Sequence, residues 1–209
     1  MITVRICVIG GAGYVGLVTA ACLADLGHTV CCVDNDRSRV ALLSEGGVPF
    51  YEEGLEDLVA RGRAEKRLRF TTSIEDGLGE ASIAYICVGT PSRRGGGADL
   101  SGVLEAVAGV SRHLDHYLLL VLKSTVPVGT TARVRAVLGQ EKEEGEEFDV
   151  AAVPEFMREG SAVEDFFQPS RIVIGVYRPE PAEKLRDLYH PLRACCITLA
   201  GIKAGMGLF

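Results

Sequence analysis

Apolar positions along this chain fall in short unbroken runs, separated by stretches with a helical repeat. VRICVIG (4–10), TVCCVD (29–34), ASIAYICVG (81–89), HYLLLVLKS (116–124), FDVAAVP (148–154), RIVIGVY (171–177) and ACCITLA (194–200) each read as a strand, and 69–72 adds a short one. A strand that is apolar at successive positions is covered on both faces. Between the runs, YVGLVTAACLADLG (14–27) and RSRVALLSEG (37–46) read as helices, as do 101–114, 130–138 and 181–190. Gly27 stands where a helix stops, because glycine readily takes the left-handed conformation that ends one. Buried strands alternating with helices predict a doubly wound α/β fold, with a mostly parallel sheet in a three-layer arrangement. Ligands of such sheets sit at the carboxyl ends of the strands.

The first strand-helix junction carries the chemistry. Gly11, Gly13 and Gly16 spell GxGxxG between a strand and a helix, and Asp34 closes the next strand 18 residues after Gly16. In a Rossmann-type sheet the glycines permit a tight turn, close approach to a pyrophosphate and close helix packing. The helix amino terminus then offers N–H groups to the phosphates, and the acid accepts ribose hydroxyls while repelling a 2′-phosphate. The expected cofactor is therefore NAD. Gly10, Gly13 and Gly16 also spell GxxGxxG, so GGAGYVG looks like the opening of the extended short-chain dehydrogenases, which include nucleotide-sugar epimerases. Those enzymes need a Tyr with a Lys four residues on, to lower the phenol's pKa. Tyr14, Tyr51, Tyr85, Tyr117, Tyr177 and Tyr189 all lack that Lys.

Composition narrows the partners. With 209 residues, 47% hydrophobic and 24% charged, the chain has the make-up of an ordinary globular protein that needs no staples. A net charge of -6 and the absence of Trp give no footprint for nucleic acid. The seven cysteines lie mostly in apolar runs, without a CxxC pair or a Cys/His cluster, so neither metal nor a disulfide framework is expected. No membrane-spanning run and no secretory leader pattern occur, and the expected location is cytoplasmic. RRGGG (93–97) and EKEEGEE (141–147) read as solvated loops.

Beyond the glycine turn, six segments follow in unbroken order: GYVGLVTAACLADLGHTVCCVD, VPFYEEGLEDLV, VGTPSRRGGGADLSGV, KSTVPVGT, PEFMREGSAVEDF and PSRIVIGV. Over about residues 4 to 192 they resemble the UDP-glucose/GDP-mannose dehydrogenase family, and VPFYEEGLEDL and REGSAVEDF are most similar to its UDP-glucose members. The resemblance implies NAD-dependent oxidation of UDP-glucose to UDP-glucuronate. It places Gly11, Gly13, Tyr14, Val15, Gly16, Asp34, Arg39, Thr90, Pro91 and Thr125 against the cofactor, with Arg39 where the family usually has Lys. Glu155, Phe156, Met157, Arg158 and Glu159 would line the sugar nucleotide. Thr125 and Glu155 would serve catalysis, Glu155 in acid/base work. From the residues alone, a surface pair between Glu155 and Arg158 is the plainer reading of that segment.

The resemblance also shows departures. The turn carries an extra glycine, Val153 replaces the Asn that often precedes Pro-Glu-Phe, and no GGSCFPKD-like run supplies the family's nucleophilic Cys. Cys195 and Cys196 lie in a strand-like run and read as core. The expected organisation is an NAD-binding domain over 1–200 and an irregular tail over 201–209, without the central helix and carboxyl-terminal UDP-binding domain. Such a chain is expected to bind NAD, to turn over little or nothing alone, and to be a monomer or a non-native association where full-length members are homodimers. A non-catalytic nucleotide-binding module or truncated remnant, and a dehydrogenase of GDP-mannose or UDP-N-acetyl sugars, remain as alternatives.

Overall fold

A computed structural model describes residues 3–93, 95–192, 194 and 196–200, the last five by their backbone alone. Cys195 and the tail 201–209 lie outside the described residues, as does the side chain of Cys196. Eight strands form one sheet: β1 (Arg5–Ile9), β2 (Thr29–Val33), β3 (Leu68–Thr71), β4 (Ile83–Ile86), β5 (Leu118–Leu122), β6 (Phe148–Ala152), β7 (Ile172–Val176) and β8 (Cys196–Ala200). Their spatial order is β3-β2-β1-β4-β5-β6-β7-β8. Every neighbouring pair is parallel except β6 with β7. The chain thus winds outward from β1 to one edge, then restarts beside β1 and winds to the other. The reversal leaves a crevice between the carboxyl ends of β1 and β4, where ligands of such sheets bind.

The helices are α1 (Tyr14–Asp25), α2 (Arg37–Glu45), α3 (Leu55–Ala64), α4 (Ile74–Leu78), α5 (Ser101–His113), α6 (Thr130–Leu138), α7 (Ala162–Phe167) and α8 (Glu180–Tyr189). Alternate strand residues feed two separate cores. Ile6, Val8, Leu119 and Val121 pack with Leu17, Leu23, Leu55, Phe166 and Leu185 on one face of the sheet. Cys7, Ile9, Leu118 and Leu120 pack with Val103, Val107, Val110 and Val134 on the other. That is the three-layer fold the apolar runs predict. Each fully buried Leu or Val contributes about 1.5–3 kcal/mol, so the two cores supply most of the driving force.

Local signals set the element ends. Asp36 caps α2 by accepting the N–H groups of Ser38 and Arg39, and Gly46 ends it at φ 107°. The α1 helix stops at Asp25, and Gly27, at φ +94°, turns the chain into β2. α3, α4 and α7 were not specified by the apolar pattern. α4 and α7 have 5 and 6 residues, too few for a 3.6-residue period to declare itself. No described helix is long and apolar enough to cross a membrane.

Candidate functional site

The glycine turn forms directly at the end of β1. Gly10, at φ 79°, takes the left-handed conformation, and its N–H and that of Gly11 both donate to the Val33 carbonyl, at 2.9 and 3.0 Å. The extra glycine is thus absorbed at the last carbonyl of β2, and the turn still delivers Gly13 to the start of α1. A Cβ on Gly16 would strike the Gly10 carbonyl oxygen, so only glycine lets the helix come this close to the turn. Gly13 is the N-cap, no side chain caps the helix, and no acid lies in its first turn. The positive end of the helix dipole is therefore left to whatever binds there.

Asp34 overlooks this turn. Its carboxylate accepts the Ala12 N–H at 2.9 Å and the Asp36 N–H at 3.0 Å. A carboxylate has about four lone-pair sites, so two stay open for hydroxyl donors. Asp34 lines a cleft of about 500 Å³ together with Gly10, Gly13, Arg39, Thr72 and Glu105. Arg39 lies half-exposed on its wall, 3.4 Å from Asp36. An uncapped helix terminus, reached through a turn too tight for side chains and faced by an acid with room for two donors, is suited to a pyrophosphate and its adjoining ribose. The fold and this cleft define a dinucleotide-binding domain.

The remaining segments meet at the ends of β4, β5 and β6. The Thr90 hydroxyl donates to the Thr125 carbonyl at 2.8 Å, and the Ser124 hydroxyl donates to the Val88 carbonyl at 2.7 Å. These bonds join the VGTP and KSTVP loops, with Pro91 and Thr125 exposed and Thr90 half-buried. A second cleft, of about 360 Å³, is lined by Lys123, Glu155, Phe156, Met157, Arg158 and Tyr189 among others. Glu155 accepts the Met157 N–H at 2.9 Å. The surface pair of Glu155 with Arg158 does not form. Arg158 instead grips Asp165 with two guanidinium donors, at 3.1 and 2.6 Å, and holds the Asp165 carboxyl down at about 2. Glu159 is exposed, and Val15 packs on the core beneath the turn.

Two residues of the site escape a reading of the sequence. Lys123 ends the apolar run of β5 and is 6% exposed, facing the second cleft beside Glu155. Burial pushes its ammonium below the ordinary lysine range, although Cys87, Glu155 and Cys22 pull the other way. A lone cation finishing an apolar strand was the available signal. Glu52, in the loop before α3, is 4% exposed and bonds Tyr14, Gly160 and Ala162. No local pattern announces it, because its partners lie up to 110 residues away.

Comparison with known proteins makes the assignment specific. The model of the UDP-glucose/GDP-mannose dehydrogenase family, NAD binding domain, matches residues 4–193. The chain belongs to this family and is its NAD-binding domain. It is 46% identical over 190 residues to a UDP-glucose 6-dehydrogenase of Pseudomonas aeruginosa, covering 90% of this chain and 42% of that protein. Among solved structures, a UDP-glucose dehydrogenase from Pyrobaculum islandicum superposes with a TM-score of 0.90 at 40% identity, over 97% of this chain and 48% of that one. A GDP-mannose dehydrogenase from Pseudomonas aeruginosa gives 0.88 at 33% identity, over 94% and 46%. The chain thus spans less than half the length of these relatives.

Proposed function

We propose that the chain is the cofactor-binding part of an NAD-dependent UDP-glucose 6-dehydrogenase, which oxidises UDP-glucose to UDP-glucuronate. The observation that carries this reading is the adjacency of the two clefts. The first is lined by residues after β4 and the second by residues after β5 and β6, and these strands are neighbours in the sheet. In this reading Gly11, Gly13, Tyr14, Val15 and Gly16 hold the pyrophosphate on the α1 terminus, Asp34 accepts the ribose hydroxyls, and Arg39 lies along the adenosine. Thr90, Pro91 and Thr125 border the nicotinamide, and bound NAD supplies the hydride acceptor. Phe156, Met157, Arg158 and Glu159 line the sugar nucleotide, while Glu155 takes and returns a proton at its carboxylate. Lys123 lines the same cleft as that carboxylate. In its organisation, 1–200 is the cofactor domain.

A second reading, an NAD-binding module without turnover of its own, is favoured by the thiols. Cys7, Cys22, Cys31, Cys32 and Cys87 are all buried, and burial raises every one of them above the ordinary thiol range. None of these five is placed to supply the nucleophile that the family uses. Both readings predict that the purified chain, as a monomer, binds NAD more tightly than NADP in calorimetric titration. Neither expects turnover by this chain alone: UDP-glucuronate formed by it would refute the second reading and the expectation that the cofactor part is inactive by itself, and equal binding of NAD and NADP would refute the role of Asp34 in both.

A further inference from the structure

Glu52 and Asp149 are the buried carboxylates among the described residues, and only Glu52 lies beside the site. One of its oxygens accepts the Tyr14 hydroxyl and the Gly160 N–H, the latter at 2.8 Å, and the other accepts the Ala162 N–H at 2.7 Å. The Tyr14 oxygen in turn accepts the Gly160 N–H at 3.2 Å, and its ring packs on Phe50 with centroids 5.0 Å apart. The two amides can only donate and the Tyr14 hydroxyl donates as well, so an ionised carboxylate satisfies all three at once. Burial pushes the Glu52 carboxyl up, but these donors outweigh it and hold it below the usual glutamate range. The same burial and bond push the Tyr14 phenol up to about 12, so the proton stays on the tyrosine.

What makes this cluster more than local glue is where its three members stand. Tyr14 is the first residue of α1, so its backbone belongs to the turn assigned to the pyrophosphate. Gly160 directly follows Glu159, the last residue of the segment assigned to the sugar nucleotide. Glu52 comes from neither cleft. We propose that Glu52 is a positioning residue that couples the two, holding the Glu155–Gly160 segment through the Gly160 and Ala162 amides and tying it to the cofactor turn through the Tyr14 hydroxyl. The inference rests on the reading of that turn as the NAD site. A pyrophosphate seated on the α1 terminus fixes the residue whose hydroxyl meets Glu52. That ordering passes through two short hydrogen-bonded steps to the backbone beside Glu159.

The test is amide hydrogen exchange on the whole chain, read by NMR at Gly160 and Ala162, with and without saturating NAD. In the wild type, NAD slows exchange at both amides. In Glu52→Gln these amides exchange roughly ten- to hundredfold faster, as expected for loss of a bond to a charged acceptor, and added NAD no longer slows them although it binds. Tyr14→Phe separates coupling from anchoring: protection without NAD stays near the wild-type level, while the gain on adding NAD disappears. A merely structural Glu52 would leave the response to NAD intact in Tyr14→Phe, and that result overturns the proposal. So does bound NAD that leaves Gly160 and Ala162 unchanged in the wild type. If Glu52→Gln does not fold, Tyr14→Phe decides by the same readout. A wild-type chain that fails to bind NAD overturns the cofactor reading, and the coupling with it.

Discussion

The glycine turn and the EFMRE segment lie at the same end of the sheet and are built in opposite ways. The turn is made by its own backbone: Gly10 and Gly11 bond the next strand, Gly13 starts the helix, and Gly16 fits against Gly10. The EFMRE segment has little of that kind. Its shape comes from side chains elsewhere, with Asp165 gripping Arg158 and Glu52 holding the amides just beyond. A site held by backbone geometry tolerates change in its neighbours and none in itself. A site held by remote side chains behaves the other way round.

The largest test of that difference is Gly16→Ala. The added methyl meets a backbone oxygen that cannot move aside, so a loss of about 3 kcal/mol or more and no measurable NAD binding are expected in thermal melts and calorimetry. Next is Asp34→Ala, which removes a charged acceptor from the rim of the cleft. NAD affinity should fall roughly ten- to hundredfold while NADP affinity falls less, and an equal drop for both would assign Asp34 to the turn alone.

On the other side of the comparison, Lys123→Met should raise stability by about 1 kcal/mol or more in denaturant titration, because an ammonium no longer has to be buried. A loss instead would mean that Lys123 is needed to hold its surroundings together. The smallest effect belongs to Asp165→Asn. That change should cost about 1 kcal/mol or less, since Arg158 is largely exposed. The pair also fixes a pH response. The folded carboxyl is depressed to about 2, so its contribution is complete above the ordinary Asp value of about 4 and fades as pH falls towards 2. Acid titrations of wild type and Asp165→Asn should therefore converge across that window, and parallel curves would remove the pair from the account.

The same contrast explains what the sequence made legible. Both cores follow from periodicity, because alternate positions of a strand face opposite layers, and Gly27 stood where the turn needs a left-handed residue. The turn was readable since its causes lie within seven residues, from Gly10 to Gly16. Around Glu155 the sequence suggested Arg158 as the partner, three residues away, and the fold chose Asp165 instead. Asp165 sits in the first turn of α7, where its oxygens reach the Arg158 backbone and fork together. Glu52 is harder still, for it draws meaning only from Tyr14 and Gly160, which the fold alone makes neighbours. The antiparallel entry of β7 had no signal either, because a strand buried on both faces reads the same in both directions.

The buried thiols offer this domain a built-in clock. Cys7 on β1, Cys22 inside α1 and Cys32 on β2 are at most 1% exposed, so an alkylating reagent reaches them only when the domain opens. If the sheet opens as one unit, these three will take up label together, and the masses of partly reacted protein, counted beyond the tags on the other four cysteines, will show none or three with nothing between. A ladder of intermediate masses would instead reveal the order in which the layers come apart, without a drop of denaturant.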